Sequence, residues 1–364
     1  MSNPRVKRNL YRILPFGLIW LVFGLLYVFL EYGLLGEATT YPSTKNIYSF
    51  KVALLSVPPG SFLMGILYGS IEILLLNNLF RRNKFWVRIL FKSIIYILFI
   101  ASLSFLLSSI ATAQRVQLPL LSTEVFDAMM LYITNFAFIS IMIYASVVTI
   151  LSLFILEVSD YLGGGIFNNF FIGKYNQPIE EERIFMFLDM KSSTTIAEQL
   201  GSQEYFRLLN KYYADTSEAI IDTHGEVYQY AGDEVIVSWK MDKGSADNNC
   251  LRCFYEIKAR FLSTGRDYKA SFGLIPEFKA GFHCGKVTTG EIGILKKDIF
   301  FTGDVLNTAS RIQNLCNELK TDILISQDLL TRLNLSQDYI VVEKGELTLR
   351  GRKAKMRLFT VHRN

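Results

Sequence analysis

Two aspartates stand where a hard cation would be held. Residues 184–188 form a short apolar run, the pattern of a buried strand, and the run ends at Asp189. Downstream, GEVYQYAGDEVIVSW predicts strands over 227–230 and 235–239, joined by a tight turn at Ala231-Gly232-Asp233-Glu234. Neighbouring strands lie about 4.8 Å apart. If the Asp189 strand and the hairpin are neighbours, both carboxylates reach one metal pair. Paired acids suit Mg²⁺, which binds through one or two carboxylates plus substrate phosphates. Between them, Ser192, Ser193 and Thr194 are helix-capping types. The backbone N–H groups of Lys191 to Thr194, opening a helix, suit an anion. Together these features read as a nucleoside triphosphate with metal; the plainer reading is an aspartate that only shapes a hairpin turn. A third stretch, FTGDVLNTASRIQNL, predicts an amphipathic helix after a turn at Gly303. Asn307 and Arg311 are i and i+4 and share a face. That pair is either solvated surface or a clamp for a ribose and a reacting phosphate, since the planar fork of Arg matches phosphate oxygens.

These elements sit in the second half of a chain of 364 residues that is 51% hydrophobic and 20% charged. Such a composition excludes a disordered chain and a wholly water-soluble one. Four stretches, about 13–35, 52–76, 86–113 and 130–156, hold the roughly 20 apolar residues a membrane span needs. The first is longer than the apolar core of a cleaved signal peptide, and no clear small-x-small site follows it, so it is expected to be retained as a span. Residues 1–157 carry 12 Lys+Arg against 6 Asp+Glu, so the basic excess lies in the apolar half. This speaks for membrane topology and against a nucleic-acid patch. Arg5, Lys7, Arg8 and Arg12 precede the first span, and Arg81, Arg82, Lys84, Arg88 and Lys92 fall around the second connection. The other connections carry only Lys45, Lys51 and Arg115. Both termini are therefore expected on the cytoplasmic side of the cell membrane. Glu72 and Glu31 lie within or near spans; the plain expectation is that both reach interfacial water. A linker is expected at 158–183, weakened as a helix by Gly163, Gly164 and Gly165 and broken at Pro178. Its aromatics Phe167, Phe170, Phe171 and Tyr175 would pack on a surface or couple a signal. The expected organisation is a membrane domain over 1–157, this linker, and a soluble α+β domain over 184–364.

At these residues the chain resembles the class III nucleotidyl cyclases, the adenylate/guanylate cyclase homology domain. FLDMKSST resembles the family's first metal-aspartate motif and QYAGDE its second. FKAGFHCGKVTTGEIG is similar to its RIGIHTG-type strand pair. TGDVLNTASRIQ is similar to the most diagnostic stretch, G-[DN]-x-[VL]-N-x-[AT]-[SA]-R, and LRGRKAKMRLFTV to the basic segment before the last strand. The resemblance covers about 180–362. It implies a ferredoxin-like βαββαβ core and two divalent ions, Mg²⁺ or Mn²⁺, held by Asp189 and Asp233. It implies that Arg311 stabilises the α-phosphate and Asn307 orients the ribose. Arg350 falls where the family has a phosphate-binding Lys, and Lys279 where it often has Arg. It further implies a homodimer whose sites lie at the subunit interface, with metals from one subunit and Asn307 and Arg311 from the other. The implied reaction is ATP to 3′,5′-cyclic AMP and pyrophosphate.

Base selection departs from the pattern. Adenylate cyclases typically carry Lys four residues before the second metal aspartate; Gln229 stands there. A partner Asp or Thr typically lies seven residues before the Asn; Phe300 stands there, with Asp298 nearby. The Glu and Cys pair of guanine specificity is also absent. An amide both donates and accepts, so ATP is expected with GTP or a pyrimidine nucleotide open. A diguanylate cyclase is the rival enzyme, on YAGDEV, but would leave Asn307 and Arg311 idle. A membrane receptor with a silent cyclase domain is the non-enzymatic rival, but such copies usually lose a metal Asp or the Arg, and all four residues are present. Cys250 and Cys253 form a CxxC without a second pair spaced for zinc; all four cysteines are expected as reduced thiols. His224 precedes a glycine turn, and Lys296 and Lys297 are expected as solvated charges.

Overall fold

The computed structural model describes residues 4–42, 47–76, 83–162, 173–294, 297–348 and 355–363. The chain divides into two compact units, one of helices before about residue 164 and one of mixed structure after it.

The helical unit contains α1 (Pro4–Leu35), α2 (Phe50–Ile71), α3 (Phe85–Val116), α4 (Thr123–Thr134) and α5 (Phe136–Leu162). Four stretches, Arg5–Leu35, Phe50–Leu76, Phe85–Val116 and Phe136–Asp160, are long and apolar enough to cross a membrane. The last differs from the sequence expectation, which began it at 130. Asn135 adopts an extended backbone that ends α4, and its side-chain oxygen accepts a hydrogen bond from the Ala137 N–H at 2.9 Å. Apolar residues flank the short Thr134-Asn135 interruption on both sides, so hydropathy does not reveal it. α1 and α2 touch backbone to backbone through glycine: a Cβ added to Gly65 would lie 2.5 Å from the Phe16 carbonyl oxygen. Small residues permit such close helix approach in membranes.

Glu72 does not reach water. It opens a single π turn, Glu72–Leu76, that continues α2, and it is fully buried. Lys92 on α3 places its Nζ 2.5 Å from Glu72 Oε1 and 3.3 Å from Glu157 Oε1 on α5. Arg88 adds a contact to Glu157 Oε2 at 2.8 Å, and the Tyr96 hydroxyl donates to Glu72 Oε2 at 3.0 Å. Arg88 and Lys92 are thus counter-ions inside the bundle rather than loop charges, because a buried carboxylate needs a paired cation. Glu31 accepts from the Tyr27 hydroxyl at 2.8 Å. Arg81, Arg82 and the linker residues 163–172 lie outside the described residues.

The second unit is built on one sheet. Its elements are β1 (Ile179–Met190), α6 (Ser193–Asp222, kinked at Gly201), β2 (Glu226–Ala231), β3 (Glu234–Lys240), α7 (Met241–Ser245), α8 (Asn249–Ser263) and α9 (Gly265–Phe272). They continue with β4 (Phe278–Ile292), β5 (Asp298–Thr302), α10 (Asp304–Glu318), β6 (Ile323–Ser326), α11 (Gln327–Leu330), β7 (Tyr339–Thr348) and β8 (Lys355–Arg363). The strand order is β2-β3-β1-β4-β6-β8-β7, with β5 on β4. The β1-α6-β2-β3-α8-β4 segment is the expected βαββαβ core. β1 reads as a near-continuous apolar run because both its faces are covered. Ile184, Met186 and Leu188 face α6 and α8, with Leu208, Tyr212, Phe254 and Ile257 in one core. Phe185 and Phe187 face Val305 and Ala309 of α10. The FKAGFHCGKVTTGEIG stretch forms one 15-residue strand, β4, whose far half pairs with β5.

Candidate active site

Sheet register brings the acids together. Asp189, at the end of β1, pairs with Glu234 on β3 and with Lys279 on β4. Asp233 sits in the two-residue turn between β2 and β3. Gly232 has φ of +65° there, as the first residue of a glycine-led hairpin turn requires. The Tyr213 hydroxyl on α6 donates to the Gly232 carbonyl oxygen, and the Tyr213 ring packs on Tyr230 with centroids 4.3 Å apart. This clamp sets where Asp233 points.

Burial pushes the Asp189 carboxyl above its ordinary range, the hydrogen-bonded Asp233 carboxyl beside it pushes further, and Lys279 pulls back. Glu234 is pushed up to about 7, by burial first and then by Asp189 and Asp233. Like charges at one sheet edge resist ionising together, and a bound cation would relieve them. Carboxylate oxygens are also the donor set that hard divalent cations prefer. Asp189 and Asp233 therefore fit the expected ions. Lys279 is buried and holds its Nζ 3.3 Å from Asp189 Oδ2, so the structure places it on the acid rather than on an open nucleotide surface.

The other expected residues distribute as follows. Asn307 is exposed and Arg311 half-buried on α10, and the apolar face of that helix, Val305, Ala309, Ile312 and Cys316, is buried. Gln229 is exposed on β2, and Phe300 is 44% exposed on β5. Ser193 and Thr194 open α6. Ser192 before them is left-handed at φ 55° and makes no side-chain cap. The Lys191 N–H is committed to the Glu277 carbonyl oxygen at 2.8 Å, which corrects its assignment to an anion; only later amides of the turn remain for that role. Arg350 and Lys296 lie outside the described residues. Lys297 pairs with Glu291 Oε2 at 3.3 Å. Cys250 and Cys253 are buried on α8, and burial pushes the Cys253 thiol up to about 12, the behaviour of inert core thiols.

Two neighbours of Asp189 escaped the sequence reading, Glu234 and Gln313. Gln313 lies on the buried face of α10 and donates from Nε2 to Asp189 Oδ2 at 2.9 Å. The signal was present: 305, 309, 313 and 316 follow a helical stripe, and a glutamine interrupts its apolar run.

The family model for the adenylate and guanylate cyclase catalytic domain matches residues 175–363, just over half of the chain. The chain belongs to the adenylate and guanylate cyclase catalytic domain family. Among relatives, it is 30% identical over 223 residues to adenylate cyclase 2 of Rhizobium meliloti (strain 1021), covering 61% of each chain. It is 31% identical over 153 residues to adenylate cyclase 1 of the same organism, covering 40% of this chain and 22% of that one. The match thus spans less than two thirds of either relative. A solved bacterial light-regulated adenylyl cyclase shares the cyclase fold, with a TM-score of 0.52 at 21% identity over 63% of this chain and 65% of that one.

Proposed function

We propose that the chain is a membrane-tethered adenylate cyclase that converts ATP to 3′,5′-cyclic AMP and pyrophosphate. The observation that carries the reading is the convergence of Asp189 and Asp233 at one sheet edge, where Asp189 pairs in register with Glu234, the residue after Asp233, with Asn307 and Arg311 presented by the neighbouring α10. The names of the relatives favour ATP. Asp189 and Asp233 would hold two divalent ions, Mg²⁺ or Mn²⁺; when bound, such ions neutralise triphosphate charge and acidify a bound hydroxyl. In the reaction the ribose 3′-oxygen forms a bond to the α-phosphorus, the bond from that phosphorus to the pyrophosphate oxygen breaks, and the hydroxyl proton leaves to water. Positioning and charge stabilisation carry such chemistry. The Arg311 guanidinium would bind the α-phosphate as charge builds, Asn307 would orient the ribose, and Arg350 would hold phosphate oxygens. Ser193 and Thr194 would present backbone N–H groups to the triphosphate. Gln229 and Phe300 would meet the base.

Helix geometry supports a two-subunit site. At about 100° per residue, Arg311 lies about 160° around α10 from Gln313, which faces Asp189. Arg311 is thus turned away from the acids of its own subunit and would serve those of a second copy, giving two equivalent sites under two-fold symmetry. The four apolar helices would anchor the dimer in the cell membrane with both termini cytoplasmic, and 158–183 would join anchor to enzyme.

The test is turnover of purified protein with ATP, GTP, CTP and UTP separately, under Mg²⁺ and then Mn²⁺, with products identified by mass. Cyclic AMP from ATP alone is expected. A cyclic product only from another triphosphate would overturn the base assignment, and no product from dimeric protein would overturn the activity.

A further inference from the structure

We propose that Gln313 is a positioning residue that fixes the Asp189 carboxylate for metal binding, an inference that rests on reading Asp189 as a metal ligand. Gln313 is only 3% exposed, among Val305, Ala309, Ile312 and Cys316 on the sheet-facing side of α10. Core packing does not call for an amide there, and burying one is costly unless it is bonded. Its bond goes to Asp189 Oδ2 at 2.9 Å. Lys279 reaches the same oxygen at 3.3 Å. Two donors on one oxygen set the plane of the carboxylate and leave the other oxygen clear of both. Partners of this kind orient metal ligands, and losing one typically costs 10–100-fold in metal affinity.

The backbone holds Gln313 in place. A Cβ added to Gly281 on β4 would lie 2.2 Å from the Gln313 nitrogen and 2.6 Å from the Ala309 carbonyl oxygen. Helix and strand therefore touch main chain to main chain at the residue that reaches Asp189, two positions along β4 from Lys279. A glutamate at 313 would set a further carboxylate against Asp189, Asp233 and Glu234, whereas the amide donates without adding charge. α10 consequently addresses two sites: Gln313 sets the metal carboxylate of its own subunit, and Arg311 faces away from it.

The test titrates Mn²⁺ into the full-length protein without nucleotide, following free Mn²⁺ by electron paramagnetic resonance, and measures turnover against Mn²⁺ concentration. Gln313→Met fills the same volume without a donor. Gln313→Asn keeps the amide but is one methylene short. If Gln313 positions Asp189, both variants retain a cooperative melting transition and both bind Mn²⁺ at least tenfold more weakly. Turnover at saturating Mn²⁺ then stays within a few-fold of wild type. If Gln313 only packs, Gln313→Met binds Mn²⁺ like wild type, and that result overturns the proposal; should Gln313→Met not fold, unchanged Mn²⁺ affinity in Gln313→Asn does the same. Asp189→Asn separates the two readings. Unchanged Mn²⁺ binding in Asp189→Asn, or none in wild type, overturns the metal assignment itself. Lost binding in Asp189→Asn with unchanged affinity in Gln313→Met overturns only the role of Gln313.

Discussion

At the scale of single residues, the acids at the sheet edge are held by what surrounds them. Asp189→Ala removes the carboxylate on which Gln313 and Lys279 converge, and turnover should fall to background while the fold survives. Metal-dependent turnover in that variant would contradict the role given to Asp189. A second carboxylate gives a pH prediction. Burial would raise the Asp322 carboxyl, but Lys191 at 2.6 Å and Lys258 at 2.9 Å override it and hold it below its ordinary value of 3.8. A depressed acid contributes stability that is complete above its unfolded value and is lost as pH falls through the folded one. Acid unfolding of Asp322→Asn should therefore show a shallower loss below about pH 4 than wild type; identical slopes would remove these ion pairs from the acid response.

At the scale of elements, buried charge joins the apolar helices. Lys92 touches Glu72 beside α2 and Glu157 on α5. Removing one partner of a buried pair strands the other charge and costs about 3–5 kcal/mol, whereas removing both is far milder. Lys92→Met should therefore lower the unfolding temperature of the detergent-solubilised protein strongly, and Glu72→Gln with Lys92→Met should recover much of it, because Glu157 keeps Arg88. A double variant as unstable as the single one would count against pairing as the cause. α10 offers a second test in the other unit. Gly281→Ala forces a methyl against the α10 backbone. Overpacking of this kind costs about 1–3 kcal/mol or more, and a chemical-denaturation midpoint equal to wild type would mean that helix and strand part freely there.

At the scale of the whole molecule, the placement of Arg311 predicts shared sites. Asp233→Ala and Arg311→Ala should each be inactive alone and partly active when co-expressed, because one of the two hybrid sites keeps both groups. Activity in tagged, purified heterodimers is the readout; inactive heterodimers would contradict the two-subunit site.

Hydropathy, hairpin chemistry and helical spacing determined four apolar stretches, the β-α-β-β order of residues 184–239, and the places of Asp189, Asp233, Asn307 and Arg311 along their elements; the full βαββαβ core was implied by the resemblance. Those properties are local: a run of apolar residues, a glycine-led turn and an i, i+4 spacing act within a few residues of chain. Three features depend on contacts that local pattern does not specify. The fourth long helix begins at Phe136 because the Asn135 side chain caps it, and the short Thr134-Asn135 interruption does not stand out in the hydropathy. Glu72 is neutralised by Lys92, 20 residues away, rather than by water. Gln313 reaches Asp189 across 124 residues, and only the packing of α10 onto β4 at Gly281 creates that bond. Sequence spacing sets what an element can present; which groups meet across elements is decided by register and close packing, where one missing Cβ or one buried partner fixes the arrangement.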